Sequence, residues 1–237
     1  QERIMVTEVT DSLIVCTKRN GGWKKYHSLK GIEYFHCLKK LEMNNINIGN
    51  PNISKNKLLQ SVRLYNTFTT YVNVNENVRL KRLYISSEVS MVGKRSLKNI
   101  DVSHNKQLEE LTLIRGISEI DVSNLSKLRM LVIGEGKLKT LDVSHNPELQ
   151  ILSCGGNQLT ELDVSACTKL SSFTCEKNQL KAVKLPENLT LVNFECHKNQ
   201  LTELDMKNGK VTGEMKFDTK CSVVNYAGTI HNDLMNK

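Results

Sequence analysis

The chain has 237 residues, of which 39% are hydrophobic and 24% are charged, a composition typical of a folded protein rather than a disordered one. Its 33 Lys and Arg residues outnumber its 25 Asp and Glu residues, which gives a formal net charge of +8. No apolar run approaches the roughly 18–20 residues needed to span a bilayer, so we predict no transmembrane segment. The seven cysteines are an odd number, which excludes a fully paired set of disulfides within one chain.

The first 37 residues have the features of an N-terminal cap. Residues 4–6 and 13–16 are strand-like apolar runs, and residues 20–22 form an Asn-Gly-Gly turn signal. Trp23 adds aromatic bulk to the same region. Because a stack of repeats has an open apolar end that must be covered, we predict that residues 1–37 cover the first repeat.

From Leu38 onward the sequence repeats itself with a period of 21 residues. Three segments that begin at Leu149, Leu170 and Leu191 align without a gap, and each has the pattern L-x-x-(L/F)-x-C-x-x-N-Q-L. Weaker copies extend the repeat over residues 38–206, in about eight units with an insertion near 86–95. Residues 207–237 are predicted to form a C-terminal cap with an atypical last strand.

The repeated pattern resembles that of leucine-rich-repeat proteins. The segment L-T-E-L-D-V-S at 159–165, with a cysteine in the preceding strand, is similar to bacterial internalin-like proteins that have a cysteine ladder. The resemblance implies an α/β-type leucine-rich-repeat solenoid, a right-handed superhelix with a parallel β-sheet on its concave face and 3₁₀ or irregular turns on its convex face. It also implies a secreted protein or a protein at the cell surface.

Strand geometry assigns the repeated side chains to two faces. Since successive residues of a strand point in opposite directions, Leu152 and Cys154 should be buried while Ile151 and Ser153 face outward. An asparagine three residues after each cysteine is expected to bond backbone groups where the chain leaves the strand. These residues are Asn157, Asn178 and Asn199.

The polar and sulfur-containing repeats have structural explanations that do not involve chemistry. Stacked cysteines could bind a metal or pair as disulfides, but Cys154, Cys175 and Cys196 occupy the apolar position filled earlier by Leu113 and Ile133, which favours buried free thiols. The Asp-Val-Ser segments are expected to cap local turns. No nucleophile, metalloprotease, phosphate-binding or dinucleotide-binding motif occurs, so we predict no catalytic residue, no metal site, no cofactor and no enzyme activity.

The outward strand positions divide into zones that suggest a binding surface. The first zone is basic and aromatic, and comprises Lys40, Arg63, Tyr65, Arg82 and Tyr84. The second zone is apolar, and comprises Ile114, Met130, Val132 and Ile151. Exposed Arg, aromatic and contiguous apolar groups are what protein interfaces favour, so we expect a non-enzymatic module that binds a protein or peptide on the concave face. In a second interpretation, a cap, a neighbouring domain or the insertion near 86–95 covers the apolar zone.

Other ligands fit parts of the same surface. The N-terminal end is rich in basic residues, which would suit an anionic polysaccharide or another polyanion: Lys18, Arg19, Lys24, Lys25, Lys30, Lys39 and Lys40. A neutral glycan would stack on Tyr65 and Tyr84. Nucleic acid is disfavoured, and a purely architectural spacer would bind no specific ligand. We expect the chain to be monomeric.

Overall fold

The computed structural model describes residues 11–16, 29–86 and 96–228, with the side chains of Val15 and Cys16 excepted. The predicted strand at 4–6, the turn at 20–22, Trp23 and most of the predicted insertion lie outside these residues. The predicted strand at 13–16 is confirmed, because Ser12–Cys16 forms β1.

Ten parallel strands form one long sheet in which spatial order follows chain order. After β1 come β2 (Lys40–Asn44), β3 (Ser61–Tyr65), β4 (Arg82–Ser86), β5 (Glu110–Ile114), β6 (Met130–Gly134) and β7 (Ile151–Ser153). The sheet then continues through β9 (Ser172–Thr174), β11 (Thr190–Glu195) and β13 (Lys210–Lys216). Each coil of the solenoid thus adds one strand to the sheet.

Four shorter strands lie in the remaining part of the later coils. β8 (Glu161–Asp163) pairs with β10 (Ala182–Lys184), and β12 (Glu203–Asp205) pairs with β14 (Ser222–Val224), both in parallel. The only helix in the described residues is a 3₁₀ turn at Ile32–Tyr34. The chain is therefore a parallel-strand β-solenoid, and the α/β class expected from the sequence overstates its helix content. A 21-residue coil leaves too little chain for a helix after two extended segments and their turns.

The core is a single column that runs through the coils. The first leucine of each repeat is at most 2% exposed: Leu38, Leu59, Leu80, Leu108, Leu128, Leu149, Leu170 and Leu191. Phe173 and Phe194 continue the column in β9 and β11, with stacked rings whose centroids are 5.5 Å apart. Since no single coil can bury its own apolar edge, each coil depends on its neighbours for stability.

The predicted cysteine stack is confirmed. Cys154, Cys175 and Cys196 are free thiols with no exposed surface. Burial raises the pKa of all three thiols well above the ordinary value, because the thiolate would lose its hydration. These cysteines therefore act as small apolar side chains.

The predicted asparagine ladder is also confirmed. Asn178 donates from Nδ2 to the carbonyl oxygens of Cys154 and Cys175, at 3.0 and 3.1 Å, and its Oδ1 accepts from the Leu159 N–H at 3.0 Å. Asn157 and Asn199 make the same three types of bond in the neighbouring coils. The ladder satisfies backbone groups that the turn would otherwise leave buried and unpaired.

A second asparagine ladder was not predicted from the sequence. Asn56, Asn77, Asn105 and Asn146 are fully buried, and each donates from Nδ2 to two carbonyl oxygens of the preceding coil. Their Oδ1 atoms have no partner among the described residues. Cys167 takes the equivalent place in the next coil and contacts two carbonyl oxygens through Sγ, so asparagine and cysteine both act as donors at this position.

The Asp-Val-Ser segments close turns, as predicted. The Oδ1 atoms of Asp101, Asp121, Asp142 and Asp163 each accept the backbone N–H two residues further on, at 2.9 or 3.0 Å. These hydrogen bonds lower the pKa of each carboxyl group because they favour its charged form.

The last strand of the long sheet has part of its edge occupied by its own chain. The Tyr226 hydroxyl lies 3.3 Å from both the N and the O of Val211 in β13. This contact covers part of a strand edge that would otherwise present unpaired backbone groups. β13 and β14 are the atypical last coil expected from the sequence, although the boundaries proposed for both caps stay predictions.

Candidate binding surface on the long sheet

The register of the sheet places the outward side chains in straight rows. The first row is Ser12, Lys40, Ser61, Arg82, Glu110, Met130, Ile151, Ser172 and Asn193. The second row is Ile14, Glu42, Arg63, Tyr84, Thr112, Val132, Ser153, Thr174 and Glu195. From Lys40 and Glu42 onward these rows are those predicted from the repeat, because a constant period keeps equivalent residues in register.

The basic and aromatic zone is held together by an arginine that stacks on tyrosine. The Arg63 guanidinium carbon lies 4.5 Å from the centroid of the Tyr84 ring and 6.0 Å from that of Tyr65. The two tyrosine rings are tilted against each other, with centroids 6.3 Å apart. A guanidinium at this distance from an aromatic face is attracted by the ring quadrupole, which limits the movement of Arg63.

Lys40 is the member of this zone whose charge is locally balanced. Its Nζ lies 3.4 Å from Oε2 of Glu42, a residue that the sequence reasoning did not include in the zone. A hydrogen bond from Asn44, together with Lys40 and the charge of Arg63, lowers the pKa of the Glu42 carboxyl despite some opposing burial. Glu42 is therefore ionised at neutral pH and offsets part of the positive charge.

The apolar zone is partly exposed. Ile114, Met130 and Val132 are half-buried, whereas Ile151 is 38% exposed. Thr112 lies between Tyr84 and Val132 in the second row and is buried. Apolar groups in this number are not needed on a polar sheet surface, which marks the zone as a candidate contact area.

The structure joins the two predicted zones into one surface. β4 and β5 are hydrogen-bonded neighbours although 28 residues separate Arg82 from its register partner Glu110. Seven of the predicted residues line one open depression of about 720 Å³: Lys40, Arg63, Arg82, Tyr84, Ile114, Met130 and Val132. The remaining two predicted residues flank it, since Tyr65 contacts Tyr84 and Ile151 pairs with Met130.

Three residues of this surface were missed. Glu42 and Glu110 line the depression. The repeat places both residues outward, but neither has the cationic, aromatic or apolar side chain that defines the two predicted zones. Ile14 is 55% exposed and extends the second row beyond Glu42. Its strand does not follow the repeat pattern, so periodicity gave no reason to add it to the row.

The other end of the sheet carries polar groups that are less closely organised. Nδ1 of His197 and Oε2 of Glu195 are 4.0 Å apart, and Lys216 lies 3.6 Å from the second oxygen of Glu195.

In the described part of the chain, no three His, Cys, Asp or Glu side chains are placed to share a metal ion. No helix within residues 11–16, 29–86 and 96–228 has the length and apolarity needed to cross a membrane.

Comparisons with known proteins find similarity in structure and none in sequence families. No protein-family model and no curated protein sequence matches the chain. A leucine-rich-repeat protein from Leptospira interrogans covers 84% of the chain and 70% of its own length, with 15% identity and a TM-score of 0.51. The internalin InlF from Listeria monocytogenes covers 90% of the chain and 76% of its own length, with 17% identity and a TM-score of 0.50. The chain has the fold of a leucine-rich-repeat protein.

The predicted resemblance to internalin-like proteins is thereby confirmed at the level of fold. The functional domain of InlJ from Listeria monocytogenes, which includes a cysteine ladder, is 24% identical over 91% of the chain, with a TM-score of 0.45. The chain spans about half of that structure's length, 53%.

Proposed function

We propose that this leucine-rich-repeat protein is a non-enzymatic binding module that holds a protein or peptide on the outward, concave face of its long sheet. The observation that carries the proposal is the continuity of the Arg63–Tyr84 stack with Met130, Val132 and Ile151 across β3–β7. Arginine and aromatic side chains next to apolar ones are the groups that contribute most to protein interfaces. Leucine-rich-repeat and internalin folds among the structural neighbours support a binding role.

The same likeness to an internalin supports an extracellular or cell-surface location as part of the proposal. We also propose that the module acts as a monomer. Its ten-stranded sheet ends at β13, where Tyr226 covers part of the edge, and this disfavours pairing between copies through that strand.

A charge placed in the apolar zone tests the proposed site. Met130→Glu should weaken capture of the ligand about tenfold or more, because a half-buried carboxylate would disrupt the apolar contact. Ser172→Glu is the matched control, since Ser172 lies in the same outward row two strands further on and is also half-buried. Circular dichroism would first show that both variants fold. Each variant and the wild type would then be crosslinked to its bound partners, and mass spectrometry would identify those partners.

The two variants distinguish loss of a contact residue from a general effect of an added charge. Partners retained by Ser172→Glu and lost by Met130→Glu support the apolar zone as the contact surface. If a folded Met130→Glu retains every partner of the wild type, the site assignment is wrong.

A polyanion ligand is the second candidate, and the structure gives it weaker support. Two of the described N-terminal lysines have carboxylates nearby, Lys40 with Glu42 at 3.4 Å and Lys39 with Asp11 at 3.8 Å. For a neutral glycan, Arg63 already occupies one face of Tyr84. Salt distinguishes the candidates: binding to heparin should weaken steeply with increasing NaCl if polyanion recognition is correct, whereas an apolar protein contact should respond little.

A further inference from the structure

Two arginines of the binding surface are placed to receive a carboxylate. Arg63 and Arg82 are diagonal neighbours on β3 and β4, since Arg63 pairs in register with Tyr84 and Arg82 with Ser61. Neither arginine has an ion pair with another described residue, in contrast to Lys40, although Glu42 on β2 is the register partner of Arg63 and offsets part of its charge. Arg82 is therefore the stronger site for an acidic ligand group. The stacking of Arg63 on Tyr84 holds one guanidinium in place, and a guanidinium matches a carboxylate with two parallel N–H donors.

Glu110 sets the limit of this cationic area. It follows Arg82 in the first row and is exposed, so an acidic ligand group is favoured on the β3–β4 side and disfavoured over β5. Beyond Glu110 the row becomes apolar, with Met130 on β6 and Ile151 on β7. From β4 to β7 the first row therefore presents a cation, an anion and then two apolar side chains.

The spacing of these groups fits one arrangement of an extended chain. Arg82 and Ile151 are three strand spacings apart, roughly 14 Å at about 4.8 Å per strand. In an extended peptide, side chains at i and i+4 point to the same side and are about 13 Å apart at roughly 3.3 Å per residue. A peptide that crosses the strands along the first row thus brings residue i to Arg82 and residue i+4 to Ile151.

We infer that the ligand segment is an extended peptide with an acidic side chain that contacts Arg63 and Arg82 and a large apolar side chain, four residues away in sequence, that packs on Met130 and Ile151. This inference rests on the proposed function and specifies the chemistry of the partner. The charge complementarity lies in the two arginines, and the position of Glu110 places the acidic side chain over β3 and β4 rather than over β5.

Selection from a random nine-residue peptide library displayed on phage tests the inference. Wild-type protein should enrich Asp or Glu at one position together with Leu, Ile, Met or Phe four residues away. The order in the sequence gives the direction in which the peptide crosses the sheet. Arg82→Glu should bind the enriched peptides about tenfold more weakly and should select Lys or Arg at the former acidic position. Lys181→Glu changes the net charge equally at an exposed position outside the long sheet, and should retain the wild-type selection.

The results of the selection distinguish failure of the inferred peptide chemistry from failure of the proposed binding site. Enriched peptides that depend on Met130 but show no acidic preference overturn the inference and leave the proposed function standing. Enriched peptides that bind Met130→Glu as well as the wild type overturn the proposed binding site, on which the inference rests. If no sequence is enriched, the partner is not a linear peptide of this kind, and the inference is wrong.

Discussion

Replacement of Asn178 by alanine should destabilise the protein more than the same change at Asn146, although Asn146 is the more deeply buried. Asn178 makes three hydrogen bonds of 3.1 Å or less, two as a donor and one as an acceptor, and a longer donor contact of 3.4 Å to the carbonyl oxygen of Glu176. Asn146 makes two as a donor, and its Oδ1 has no partner among the described residues. The two residues are 8% and 0% exposed. Both substitutions remove the same atoms, so the cost of the cavity is closely matched.

The difference between the two variants follows from their hydrogen bonds. At about 1 kcal/mol per buried hydrogen bond, Asn178→Ala loses about 3 kcal/mol of unfolding free energy and Asn146→Ala about 2 kcal/mol. Removal of an unpaired Oδ1 recovers about 1 kcal/mol or more in the second variant, because an unsatisfied buried acceptor carries a desolvation cost. The expected gap between the variants is therefore about 2 kcal/mol.

Urea-induced unfolding followed by far-ultraviolet circular dichroism measures this gap. The midpoints should fall in the order wild type, Asn146→Ala, Asn178→Ala, with similar dependence of the free energy on urea concentration. Equal destabilisation, or a larger loss for Asn146→Ala, would refute the reasoning. It would show that the Oδ1 atom of Asn146 has a bonding partner such as an internal water.

Three further predictions concern backbone space, thiol burial and acid stability. Gly136→Ala should cost about 1–3 kcal/mol of unfolding free energy, since a Cβ there would lie 2.5 Å from a carbonyl oxygen, whereas Gly134→Ala meets nothing closer than 3.6 Å and should be nearly neutral in urea titrations. In native protein, iodoacetamide should label the exposed Cys37 and leave the fully buried Cys175 unmodified until denaturant is added, which peptide mass spectrometry would show; rapid native labelling of Cys175 would contradict its burial. The lowered pKa of Asp142 means that its contribution to stability is present above the unfolded pKa of about 3.9 and is lost as the pH falls through the folded pKa. Asp142→Asn, which keeps the acceptor for the turn, should therefore lose less stability between pH 5 and about pH 2–3 in thermal melts than the wild type does.

The candidate binding surface shows how much of a site the repeat can predict. Because a strand alternates faces and the repeat has constant length, the sequence assigned Arg63, Tyr84 and Met130 to the outward face, and the register confirms this. Sequence could not show that the Arg63 guanidinium stacks on Tyr84 or that Glu42 balances Lys40. Those contacts depend on side-chain rotamers, which the chain order does not specify.

The second asparagine ladder shows a feature that a search for repeated residues does not predict. In the sequence Asn105 and Asn146 do not form a repeated pattern, because the position is Leu125 in the coil between them and Cys167 in the next. What the coils share at this position is a buried site that tolerates either a donor or an apolar group. A pattern search for one residue type misses such a site.

The 21-residue period by itself determined the solenoid, the buried column and the outward rows, because identical units can bury their apolar edges only by stacking in register. Only the tertiary structure decided which rows meet in one depression, where β1 lies, and how Tyr226 covers part of the last strand's edge. These features bring together residues far apart in the chain or outside the repeat, and contacts of that kind depend on how coils of unequal length pack rather than on any local pattern.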